Sequence, residues 1–72
     1  MMTPKDLRDK WNLTNYQLAC AIGKTEQTVK QYMAREGTKS HRNPPLSIKI
    51  LCAQLDKDWT QIGTPQLFFY AA

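Results

Sequence analysis

The fold is decided by residues 18–32, LACAIGKTEQTVKQY, where two short apolar-striped runs flank a single glycine. Leu18, Ala19 and Ile22 are spaced along one side of a helix. Gly23 ends that helix, because a left-handed residue there meets no Cβ clash. A second helix starts at once. Thr25 caps it, and Val29, Tyr32 and Met33 form its apolar side. At roughly 100° per residue, Glu26, Gln27, Lys30 and Gln31 fall opposite. Two helices joined by a turn of about three residues make a helix-turn-helix unit.

Upstream, Thr14 caps the first of these helices and Gln17 is placed to bond back to it. Leu13 and Leu18 have the spacing of a hydrophobic staple. A preceding helix starts at Thr3, with Pro4 in its first turn, Asp6 near its positive end, and Leu7 and Trp11 on one face. Downstream, REGTKSHRNPP is a polar, basic loop. Asn43 is expected to cap the next helix, with Pro44 or Pro45 in its first turn. That helix carries Ile48, Leu51, Cys52, Leu55, Trp59 and Ile62 and ends at Gly63. Leu46 and Ile50 widen its apolar side, so a mostly buried helix is expected. In the tail, Thr64 and Pro65 could open a last short helix, or Leu67, Phe68, Phe69 and Tyr70 a strand. The expected fold is all-α, a compact bundle of four to five helices. Residues 1–63 form its helix-turn-helix domain and residues 64–72 a C-terminal tail.

The 72 residues suffice for one small domain with a modest core. No apolar run approaches the ~20 residues that span a bilayer. MMTPKDLRDKW has no apolar signal-like run, so a cytoplasmic protein without membrane contact is expected. Cys20 and Cys52 are expected reduced and buried. With one histidine and no C-x-x-C, neither a metal nor another cofactor is expected. No clustered acid pair, nucleophile–base arrangement or phosphate loop argues for an enzyme, and no small-molecule ligand is evident.

The net charge of +4 lies entirely within residues 24–49, where Lys24, Lys30, Arg35, Lys39, Arg42 and Lys49 oppose Glu26 and Glu36. Charges outside that segment balance. One basic segment on a neutral chain fits a surface facing a polyanion; a solvated face that maintains solubility is the bland alternative.

Residues 13–34 resemble the unit of the Cro/C1-type helix-turn-helix regulators, which include the lambdoid phage repressors and Cro proteins. The resemblance rests on Leu18 with Ala19, Ile22 before Gly23, Thr25 opening the second helix, and Val29 with Tyr32 behind it. A weaker match runs through the fourth helix. Two departures stand out: Lys24 where the family often has an apolar residue, and a longer, more basic loop before the fourth helix. The resemblance implies a DNA-binding transcriptional regulator, a repressor, with residues 25–34 as the helix in the major groove. Carried over, Glu26, Gln27, Lys30 and Gln31 read bases: glutamine pairs with adenine, lysine donates to guanine, and glutamate accepts from cytosine. Backbone contacts fall to Asn15, Gln17, Lys24, Thr25, Thr28, Arg35, Lys39, His41 and Arg42.

The implied partner is double-stranded DNA carrying a pseudo-palindromic operator, bound by a homodimer. Leu67, Phe68, Phe69 and Tyr70 are the candidate dimer contacts, unless the tail folds back onto its own core. The alternative is a protein-interaction module, such as an antitoxin or a polymerase-contacting factor.

Overall fold

Three helices begin on a threonine whose hydroxyl accepts a backbone N–H three residues on. Thr3 accepts from Asp6 at 3.1 Å, Thr14 from Gln17 at 3.0 Å and Thr25 from Thr28 at 3.1 Å. Asp6 and Gln17 return the bond, accepting the Thr3 and Thr14 N–H groups at 3.2 and 2.9 Å. Each such cap is worth about 1 kcal/mol. The computed structural model describes residues 2–66. Over them the chain is all-helical, with four helices and no strand. They are α1 (Pro4–Trp11), α2 (Asn15–Ile22), α3 (Glu26–Met33) and α4 (Leu46–Ile62).

The helix ends follow from backbone geometry. Gly23 closes α2 at φ 70, and nothing lies within 4 Å of where a Cβ would stand. Glycine is needed there for the backbone angle, not for room. Asn12 closes α1 in the same left-handed region, at φ 55. Asparagine tolerates that region better than most residues, and its role as a helix end went unremarked in the sequence pattern. Gly63 closes α4, donating its N–H to the Trp59 carbonyl at 2.7 Å.

One core joins the four helices. Leu7, Leu18, Ala19, Ile22, Val29, Tyr32, Ile48, Cys52 and Trp59 are all buried. α2 packs most extensively on α3, and α1 touches all three other helices, whereas α3 and α4 make no close backbone approach. That topology corrects the expectation of a mostly buried α4. Its Ile48–Cys52–Trp59 stripe is buried and Leu51 and Leu55 are partly covered beside it, while Leu46, Ile50 and Ile62 are about half exposed. Without α3 beside it, the outer side of α4 has no neighbour among the described residues.

The start of α4 also differs from expectation. Pro45 holds the cap position and supplies no side-chain bond. Asn43 does not cap; its carboxamide oxygen lies 2.8 Å from His41 Nε2. Pro44 and Pro45 precede the helix instead of occupying its first turn. Cys52 is fully buried, and burial pushes its thiol up to about 11, so it stays protonated and unreactive. Cys20 is only partly buried, short of the expected burial, and both cysteines are free. Thr64, Pro65 and Gln66 are not helical; the tail residues Leu67, Phe68, Phe69 and Tyr70 lie outside the described residues. No helix among the described residues is long and apolar enough to cross a membrane.

A polar latch ties α1 to α4. The Trp11 indole N–H donates to Asp56 Oδ1 at 2.9 Å, and Lys10 Nζ lies 2.8 Å from the same oxygen. The two tryptophan rings meet edge to face, 5.8 Å apart at 88°. Lys10 and Trp11 hold the Asp56 carboxyl below its usual range. Asp56→Ala is therefore expected to lower unfolding stability by about 1–2 kcal/mol at neutral pH. Because the folded carboxyl is depressed, its contribution is complete above the ordinary aspartate range and fades as pH falls through the folded value. The gap between denaturant melts of parent and variant should thus narrow as pH falls below the ordinary aspartate range; a gap independent of pH would refute the assignment.

Candidate nucleic-acid interface

The turn Gly23–Lys24–Thr25 aims α3 so that Val29, with no exposure, and Tyr32 face the core. Met33, partly buried, packs against the same core, and the opposite side of the helix points outward by helical geometry. Glu26, Gln27 and Lys30 are exposed and Gln31 is half-buried. The four expected base readers therefore share one strip of α3. They are not equally free. Lys30 Nζ sits 3.9 Å from Glu26 Oε1, an exposed pair of little energetic weight that still offsets the lysine charge locally. Among the described residues, Gln27 carries no such partner.

The expected backbone contacts divide into groups. At the start of α2, Asn15 Oδ1 accepts from Arg8 at 3.0 Å, and Gln17 Oε1 is spent on the Thr14 cap. Both amides thereby keep their NH2 groups as donors. Thr25 and Thr28 are joined hydroxyl to hydroxyl at 3.0 Å over the start of α3, and Lys24 is exposed beside them in the turn. Arg35, Lys39, His41 and Arg42 belong to the loop after α3.

That loop is folded on itself. The Arg35 carbonyl accepts the Thr38 hydroxyl at 2.7 Å and the Thr38 N–H at 3.2 Å, and His41 N–H returns to the Thr38 carbonyl. Two bonds then pin the loop to the end of α3. Arg42 N–H donates to the Gln31 carbonyl at 3.0 Å, and His41 Nδ1 lies 2.8 Å from the Ala34 carbonyl. A base-reading candidate and a backbone-contact candidate are thus linked directly, through Gln31 and Arg42. Lys39 is exposed on the loop and makes no such link. Among the described residues, no three His, Cys, Asp or Glu side chains gather to hold a metal ion.

No family model, curated protein or solved structure matches this chain.

Sequence reasoning missed two contributors. Arg8 holds Asn15 from α1, bridging the helix before the turn unit to its start. Lys5 and Lys49 line a cleft with Arg35 and His41. The charge balance flagged Lys49, but no spacing rule connects it to Lys5 across the chain.

His41 has an acceptor at each ring nitrogen, the Ala34 carbonyl and the Asn43 carboxamide oxygen. Neutral imidazole donates only once, whereas imidazolium satisfies both. The Asn43 bond and then the Ala34 bond raise its pKa above the usual histidine value. The sign follows: a raised folded value contributes stability below the unfolded value near 6.5 and loses it as pH rises through the folded one. The chain holds a single histidine, so no other imidazole contributes. Stability should decline as pH rises from the ordinary histidine range upward, and His41→Gln should flatten that decline. An unchanged slope in the variant would refute the clamp.

Proposed function

We propose that the chain is a sequence-specific double-stranded DNA-binding regulator of transcription acting as a repressor, with residues 25–34 in the major groove. One observation carries the proposal. Immediately after a three-residue turn and a threonine cap, α3 buries Val29 and Tyr32 and leaves Glu26, Gln27 and Lys30 exposed, with Gln31 half-covered beside them. Side chains with long reach and mixed donor and acceptor character suit base edges. The loop bonded to the end of α3 carries Lys39 and Arg42, which on this reading serve as phosphate contacts and supply affinity without sequence preference. On this reading residues 1–63 are a helix-turn-helix domain of the Cro/C1 type.

Two substitutions should fail in different ways. Gln27→Ala removes a base contact, so it should cost roughly 1–3 kcal/mol on a preferred site and little on random DNA. Arg42→Ala should weaken both alike and make the log–log salt slope shallower by about one. Anisotropy titrations at several salt concentrations, on a site selected from a random duplex library, supply both quantities. Equal losses on both DNAs for Gln27→Ala would mean that α3 does not read bases.

A unit this small contacts few base pairs, so we infer a homodimer on a pseudo-palindromic operator. Its contacts would come from the tail, with the half-exposed Ile62 at the end of α4. Sedimentation of the full chain against a version ending at Gly63 tests this; a truncated protein that stays folded with unchanged mass rules the tail out. Exposed Leu46 and Ile50 on α4 favour a second reading, a surface for a different protein as in an antitoxin or a polymerase-contacting factor. Absence of any selected DNA sequence would move the weight to it.

A further inference from the structure

A cleft of about 400 Å³ opens between the start of α1, the end of α3, the loop and the start of α4. Lys5 from α1, Arg35 and His41 from the loop, and Lys49 from α4 line it, against one carboxylate on its wall, Glu36. Among the described residues, none of Lys5, Arg35 and Lys49 has an ion-pair partner. Three unpaired cations converging on a concave site repel one another, so a ligand that neutralises them is favoured there.

Helix polarity points the same way. Lys5 lies in the first turn of α1 and Lys49 near the start of α4, where the helix dipoles are positive and a cation is unfavourable. The first-turn acid of α1, Asp6, is bound to the Thr3 N–H and does not line the cleft. The negative end of α3, at the Ala34 carbonyl, also borders the cleft, but His41 covers it at 2.8 Å. Positive potential is thus concentrated, the partial negative charge at the end of α3 is capped, and Glu36 is left as the one carboxylate on the wall. Tyr32 adds a phenol to the wall.

We propose that this cleft is a binding site for a phosphate group, held by Lys5, Arg35 and Lys49 with His41 behind them. A multiply charged tetrahedral oxyanion accepts from several donors at once, and an arginine fork presents two of them in parallel. The phosphate would belong either to the DNA backbone flanking α3 or to a free phosphorylated small molecule. The DNA source rests on the function proposed above; the phosphate chemistry does not.

Tripolyphosphate is the probe, titrated into isotope-labelled full chain at constant pH and ionic strength, with backbone amides followed by NMR. Saturable shifts centred on residues 5, 35, 41 and 49 are expected. Lys5→Gln combined with Lys49→Gln should weaken binding about tenfold or more, whereas Lys57→Gln, away from the cleft, should leave it unchanged. Circular dichroism checks the double variant, and Lys49→Gln alone serves if that variant fails to fold. Adding random duplex DNA then separates the sources: displacement of tripolyphosphate assigns the cleft to the DNA backbone, and continued binding beside the duplex assigns it to a free phosphorylated molecule. If the chain binds no duplex, the DNA proposal fails while the tripolyphosphate result stands. Shifts that never saturate, or equal affinity in parent and double variant, overturn the site.

Discussion

Three of the four helices are eight residues long, and helices of that length do not persist alone in water. Everything else in the molecule depends on that constraint. Each short helix must have its first N–H groups satisfied locally and its apolar side buried by the others. The threonine caps meet the first demand. The second is met by a core in which Leu7, Leu18 and Val29, one from each short helix, are fully enclosed. α4, at 17 residues, closes that core with only three buried side chains.

The constraint also shapes the outer surface. With so little apolar material, α3 fully buries only Val29 and Tyr32, with Met33 partly covered, and its opposite side is left to solvent or a partner. α3 is held by α2, α1 and the loop, and not by α4. The charged loop is therefore part of what fixes the end of α3, through Arg42 and His41. Of the two bonds, the Arg42 one is made by backbone and survives a change of side chain, whereas the His41 one is made by the imidazole.

Legibility in the sequence followed the range of the interaction. Thr3, Thr14 and Thr25 were readable because a cap is decided within four residues. Gly23 was readable because its backbone angle is a property of the residue itself. Asn43 was misjudged because its local role as a cap lost to a bond with His41. In α4, helical periodicity identified the apolar residues but not which stripe would be covered; that depends on where α3 lies. The strip Glu26, Gln27, Lys30 and Gln31 followed from the phase of Val29 alone. The gathering of Lys5, Arg35 and Lys49 did not, since it requires α1 and α4 to be placed side by side.

The edge-to-face pair of Trp11 and Trp59 has an optical consequence. These are the chain's two indoles, one half-covered and one enclosed, and both sit at the seam between the first and last helices. Intrinsic tryptophan emission is thus a gauge of that seam. It registers α1 parting from α4, while a movement confined to α3, whose aromatic residue is Tyr32, passes in the dark. An emission trace watches that seam alone, a circular dichroism trace all four described helices, so an offset between them measures how independently the rest of the bundle, the outward helix included, can come loose.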